Sequence, residues 1–252
     1  MRLEDITLVL GVDRAHREEL RWVWPTWRRF KPELMKMPAV VFYDIGQVRL
    51  EDLQFLREHP NIRFIRWDFA NGWNQRERML TGFVHIPARE VCTPWYLKID
   101  TDVVATGAGD WIEPRWFEPD AAGELPVFIS AKWHYTKPRF VMDLLDHWGD
   151  GIPALAEKPR LNLHYSSAQS RIRHPRIISW LFFGRTDWTR KVAAFTGNDG
   201  RLPYPSQDSF MFYCAARLRC GYLRESMTKF QWAHRRFHKI RELVTGLGMV
   251  PV

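Results

Sequence analysis

Residues 95–105 read WYLKIDTDVVA, and the fold turns on this stretch. WYLKID, residues 95–100, is an apolar, β-rich run that ends in an acid, and a second acid follows one residue later. Residues two apart in a strand share a face, so Asp100 and Asp102 can serve one cation. Hard divalent ions prefer such oxygen ligands, and Mg²⁺ is typically held by one or two carboxylates together with substrate phosphates. The competing reading is a solvated junction between strand and loop. Asp-x-Asp alone arises by chance in a chain this size, and the buried strand ahead of it gives it weight.

Upstream the same kind of run recurs. ITLVLGV (6–12) is continuous and apolar, closed by Asp13. The pattern then predicts a helix from about Ala15 to Phe30 ending near Pro32, a strand AVVFYDI (39–45), and a helix from about Leu50 to His59 stopped at Pro60. A third strand, NIRFIRWD (61–68), and a helix over 75–90 disturbed by Pro87 complete the approach to residue 95. Strands and helices alternating through short connections define an α/β fold, a mixed, mostly parallel sheet flanked by helices. Ligands of such sheets bind beyond the carboxyl ends of the strands. Asp13, Asp44, Asp68 and Asp100 all fall there. Each alone is an ordinary turn or cap acid; four on one edge make a candidate site.

Downstream the pattern is less regular. PVFISAKWHY (126–135) reads as a strand, Val141 to Trp148 as a short helix, and 150–176 as a long basic loop carrying Arg160, Arg171, Arg173 and Arg176. IISWLFFG (177–184) reads as a strand, with helices over 186–195 and 206–218. Ser206 can cap the last of these, placing Asp208 in its first turn, where the helix dipole favours a carboxylate. A carboxylate there can act as a general base. The tail FQWAHRRFHKIRELV (230–244) reads as a basic helix with His234 and His238 on one face. Either imidazole could complete the Asp-x-Asp site. No linker or repeat interrupts the 252 residues, which predicts a single domain with halves at about 1–105 and 106–252.

Composition narrows the classes. The hydrophobic fraction of 46% and charged fraction of 26% are those of a folded protein, which excludes wholesale disorder. No apolar stretch is long enough to span a membrane, and the N-terminal run is too short and acidic for a secretory leader. Three cysteines without a Cys-x-x-Cys pair argue against a disulfide framework or structural zinc, so the expected location is cytoplasmic. The net charge of +8 favours anionic partners, a peripheral contact with an anionic membrane among them. Thirteen tryptophans supply flat apolar faces suited to sugar rings or bases, although most such side chains serve the core. Phosphate-loop, dinucleotide-binding, serine-hydrolase and zincin motifs are all missing.

Taken in order, these pieces resemble the GT-A fold of nucleotide-sugar-dependent glycosyltransferases, most closely its inverting, Asp-x-Asp members. WYLKIDTDVVA matches the metal motif, ISWLFFGRTDWTRKV the glycine-containing segment, PSQDSFMFYCAARLRCGYL the acid that opens a later helix, and FQWAHRRFH the C-terminal histidine. The resemblance implies transfer of a sugar from a nucleotide-diphospho-sugar, a UDP-sugar first, to a saccharide or other hydroxyl acceptor. It implies Mn²⁺ or Mg²⁺ held by Asp100, Asp102 and His234, with His238 the alternative imidazole. Asp208 would be the catalytic base, with Gln207 beside it in place of the usual Glu. Asp13, Asp44 and Asp100 would contact the nucleotide, and Gly184, Trp180, Trp188 and Gln207 would line the acceptor side. A nucleotidyltransferase of related fold would share the acidic metal site but needs a glycine- and lysine-rich segment after the first strand, which GVDRAHREE lacks. A nucleic-acid-binding module would suit the charge, yet the basic residues are spread along the chain rather than massed on one element.

Overall fold

The computed structural model describes residues 1–67, 81–136, 164–166, 171–177, 179–196, 214, 218–221 and 231–252. In chain order its main elements are β1 (Ile6–Val12), α1 (Arg14–Phe30), β2 (Ala39–Asp44), β3 (Ile62–Trp67), α2 (Ile86–Glu90), β4 (Trp95–Ile99), β5 (Val103–Ala105), β6 (Phe128–Ile129), β7 (Ala131–Thr136), β8 (His164–Ser166), β9 (Arg171–Ile177), β10 (Leu181–Arg185), α3 (Thr186–Thr196), β11 (Cys220–Gly221), β12 (Trp232–His234) and α4 (Phe237–Gly246). The class is α/β, with mixed, mostly parallel strand pairing and flanking helices. The chain forms two compact units: Met1–Gly72 with Glu90–Glu113 and Arg224–Val252, and Trp73–Arg89 with Pro114–Leu223.

The first unit contains the parallel strands in the order β4-β1-β2-β3. Leu8 to Val12 align with Ala39 to Tyr43, and Ile6 to Val9 with Trp95 to Lys98. Strands covered on both faces favour apolar residues at nearly every position, which is why β1, β2 and β4 read as near-continuous hydrophobic runs, whereas β3, at the edge, exposes Arg63 and Arg66. Ile6, Leu8, Val9, Leu10, Val41, Leu97 and Ile99 are fully buried. Gly11 lies opposite Phe42, where an added Cβ would come within 2.4 Å of the ring tip, so any larger residue would have to displace that ring.

Asp13 caps α1, its carboxylate accepting from the His16 amide at 2.9 Å. Leu20, Val23, Trp24 and Trp27, at helical spacing, bury the inner face. Pro25 inside this helix leaves the Arg21 carbonyl without its usual donor, and the Val252 amide fills the gap at 3.1 Å. Trp27 Nε1 donates to the Val103 carbonyl at 2.7 Å, and Thr26 Oγ1 accepts from the Ala105 amide at 3.1 Å. The helix thereby fastens β5, the short strand that follows Asp102.

Two expectations about this unit change. Leu50–Glu58 is a 3-10 helix, whose three-residue period stacks Leu53 and Leu56 on its buried side. The basic tail is not one helix: Trp232–His234 pairs antiparallel with β5, and α4 begins only at Phe237, burying Ile240 and Val244. His234 is on a strand and His238 on a helix, so they do not share a helical face. The unmet edge of β5 and burial of Trp232 outweigh local helix propensity.

In the second unit β10 pairs antiparallel with β6, and β11 parallel with it. Phe128 meets Phe182 and Trp188 edge to face, at 5.4 and 5.2 Å between centroids, and Phe117 meets Phe183 at 5.2 Å. Thr81–His85 is π-helical and becomes α2 at Ile86, one residue before Pro87. The segment expected as a loop over 150–176 contains strands where described: β8 and β7 each pair antiparallel with β9. RIRHPRI has no apolar alternation to announce a strand, so the pairing partner decides. The expected strand over 177–184 is divided by a turn at 179–180, between β9 and β10. Asp68 and the expected helices over 141–148 and 206–218 lie outside the described residues, apart from Cys214 and Leu218.

Candidate active site

Strand pairing brings the acids and the imidazole together within the first unit. All five residues of β4 are buried, and the chain turns at Asp100–Asp102, with the Val103 amide donating to the Asp100 carbonyl at 3.3 Å. β5 then runs antiparallel to β12 with Val103 opposite His234, and the Arg235 amide donates to the Asp102 carbonyl at 3.2 Å. His234 Nε2 lies 3.0 Å from Asp102 Oδ2. One ligand atom each from Asp100, Asp102 and His234 falls within 4.8 Å of the others. His238 is not part of this group.

The electrostatics are those of a crowded acidic corner. The hydrogen bond from His234 to Asp102 raises the imidazole pKa against the opposing effect of burial. Lys98, two residues before Asp100 on the same strand face, forms an ion pair with Asp100 Oδ1. Thr101, 2% exposed, donates its hydroxyl to Glu19 Oε2 at 3.2 Å. Burial raises the Glu19 pKa, and the nearby Asp102 and Asp13 charges push the same way. For His16 burial works downward, but the Asp13 carboxylate at 2.8 Å prevails and the pKa is raised. Asp13 is correspondingly lowered, its burial outweighed by hydrogen bonding to His16.

One oxygen stands out. Asp102 Oδ1 is buried without a hydrogen-bond partner. A carboxylate oxygen in that condition is costly unless something positive answers it. Two carboxylates and an imidazole suit a divalent cation there, and the nitrogen donor moves the preference from Mg²⁺ toward Mn²⁺ and later first-row ions. The residues present fit the metal that the sequence motif implies.

Sequence reasoning missed Lys98, Glu19 and His16. Lys98 had a visible signal, a charge inside an apolar strand on the same face as Asp100. Glu19 had none, since its role arises from α1 meeting the Asp100–Asp102 turn.

The remaining predicted residues are placed as follows. Asp13 is the α1 cap. Asp44, at the end of β2 and 6% exposed, accepts from the Gly46 amide at 3.0 Å and from Gln47 Nε2 at 2.8 Å. Gly184 is a buried residue of β10, and Trp180 is half-buried in the turn before it. Trp188 is 1% exposed and packed on Phe128, so its indole presents no face to an acceptor. Core packing claims that residue. Asp208 and Gln207 lie outside the described residues.

No protein-family model matches the sequence, and no curated protein does. Solved structures do match the fold. The galactosyltransferase LgtC, in complex with donor and acceptor sugar analogues, is 12% identical over 97% of each chain, with a TM-score of 0.52. Core-mannan synthase A (CmsA/Ktr4) of Aspergillus fumigatus, in a Mn/GDP form, is 11% identical over 91% of this chain and 74% of its own, with a TM-score of 0.56. The mannosyltransferase Ktr4p of S. cerevisiae is 7% identical over 91% and 70%, with a TM-score of 0.54. The chain therefore has the GT-A fold seen in these glycosyltransferases.

Proposed function

We propose that the protein is a metal-dependent glycosyltransferase that moves a sugar from a nucleoside-diphosphate sugar to an acceptor hydroxyl. The observation that carries this reading is the grouping of ligand atoms from Asp100, Asp102 and His234 within 4.8 Å of one another, with Asp102 Oδ1 buried and partnerless, just past the end of β4 in a glycosyltransferase fold. Asp102 and His234 would hold Mn²⁺ or Mg²⁺, with Asp100, ion-paired to Lys98, beside them. Such an ion, when bound, offsets the charge that develops on a departing diphosphate.

The chain's own residues supply the rest. Asp13 and Asp44 stand at the carboxyl ends of β1 and β2, where ligands of parallel sheets bind, and are read as nucleotide contacts. Asp208 is read as the base that takes the acceptor proton; inversion at the anomeric carbon rests on that residue alone. Trp180 and Gln207 remain the acceptor-side candidates. UDP is the first nucleotide to test and GDP the second, since CmsA was solved with GDP and manganese. The net charge of +8 supports peripheral contact with anionic lipid, and three cysteines without a Cys-x-x-Cys pair support a cytoplasmic location.

A hydrolysis screen of UDP- and GDP-sugars with Mn²⁺ tests the reading without knowledge of the acceptor. Slow release of one nucleotide, lost on chelation and in Asp102→Ala, is the expected result. Failure of every donor to be cleaved or bound overturns it. Once an acceptor is in hand, Asp208→Asn should retain donor binding and lose transfer, and the product's anomeric configuration reports inversion directly.

A further inference from the structure

We propose that Lys31, remote in sequence from every motif above, is the positioning residue that sets the strand carrying His234 against Asp102. This rests on the metal-site reading, which it deepens. Lys31 follows α1, its amide donating to the Trp27 carbonyl at 2.8 Å. Its side chain is fully buried, an exceptional place for an ammonium group. The Nζ donates to the Gly109 carbonyl at 3.2 Å and to Gln231 Oε1. It also lies 5.8 Å from the Trp111 ring centroid and 5.6 Å from that of Trp232, within cation–π range of both.

The cage is built for this group. Trp111 and Trp232 pack edge to face at 5.0 Å, and Trp111 Nε1 is held by Glu33. Gly109 has φ +124°, and an added Cβ would sit 3.3 Å from Gln231 Nε2, so glycine lets the amide approach. The Gln231 carbonyl accepts from the Thr106 amide at 2.9 Å, and from Trp232 onward the chain is β12. The contacts therefore grip Gln231 and Trp232, the start of a three-residue strand whose last residue is His234. A strand so short has little pairing of its own to resist slippage, and a one-residue slip would turn His234 to the opposite face. Lys31 Nζ, the Gly109 carbonyl and Gln231 Oε1 thus form a buried polar network, the kind of arrangement that specifies a unique geometry.

The test uses the intact protein with Mn²⁺ alone as probe, its free concentration read by electron paramagnetic resonance, and NMR titration of the His234 ring. Lys31→Met should weaken Mn²⁺ binding about tenfold and return His234 toward ordinary histidine titration. Lys31→Arg should recover affinity to within about threefold. In a His234→Ala background Lys31→Met should cause no further loss, because Lys31 acts only through that imidazole. Should Lys31→Met fail to fold, Gln231→Ala breaks the same link from the other end and should weaken binding severalfold.

A folded Lys31→Met variant with unchanged affinity and unchanged His234 titration overturns the proposal, as does full additivity with His234→Ala. Absence of Mn²⁺ binding by the unmodified protein sinks the metal-site reading instead. In that event the His234 titration alone decides whether Lys31 positions the strand.

Discussion

His234 reaches Asp102 at 3.0 Å because their strands pair with Val103 opposite His234, although 132 positions separate the two residues in the chain. The contact is set by backbone register and only then by side-chain chemistry. A shared cation would exploit that register, and Asp102 Oδ1, buried without a partner, has a lone pair to offer it.

Replacing Asp102 by Ala removes the most central ligand and the partnerless oxygen together. Mn²⁺ affinity should fall by tenfold or more, and Mn²⁺-supported nucleoside-diphosphate binding should fall with it, both measurable by calorimetry. Thermal stability without metal should change by no more than about 1 kcal/mol, because a costly buried oxygen departs along with a modest ion pair.

The proton on His234 competes with any metal. Its pKa lies above the ordinary 6.5, so Mn²⁺ binding should strengthen about tenfold per unit as pH rises toward that raised value and then level off. Stability of the metal-free protein should respond in the opposite sense. The contribution of the charged pair with Asp102 is fully present below 6.5 and is lost as pH rises through the folded-state pKa of His234. Parallel metal titrations and denaturant curves across this range, on wild type and His234→Ala, separate the two effects.

Burial lowers the Lys31 pKa from 10.5 to about 8, partly opposed by Glu33 and Asp110. Between these values the folded chain binds fewer protons than the unfolded one, so stability should rise as pH climbs from about 8 to 10.5. The full rise is of order 3 kcal/mol. Lys31→Met should abolish it, as denaturant unfolding at pH 7.5 and 10 would reveal. A stability penalty at neutral pH, kept in place beside His234, is what a positioning role entails.

Trp188→Ala should behave as a core mutation. With the indole 1% exposed against Phe128, a loss of about 3–5 kcal/mol in unfolding free energy is expected. Donor hydrolysis per folded molecule should stay close to wild type. A specific rise in acceptor KM at unchanged stability would restore this tryptophan to the sugar-binding surface.

Much of the architecture was legible from local pattern. β1, β2 and β4 are largely apolar runs because strands covered on both sides admit little else, while β3, at the sheet edge, keeps Arg63 and Arg66 exposed; the Asp-x-Asp follows β4. The ends of those runs also announced Asp13 and Asp44. The 3-10 helix at Leu50–Glu58 was less legible, since Leu53 and Leu56 three apart satisfy either helix type. β9 was not legible at all: RIRHPRI carries charge on both faces, and only its antiparallel partners make it a strand.

The sequence by itself determined the α/β class, the parallel core and the two acids that follow β4, because burial and alternation are written in neighbouring residues. Only tertiary structure decided that His234, not His238, faces Asp102, that Glu19 reaches the acids, and that Trp188 is core. Each of those outcomes depends on which distant segment supplies the missing hydrogen bonds or covers the exposed ring, and no local pattern carries that information.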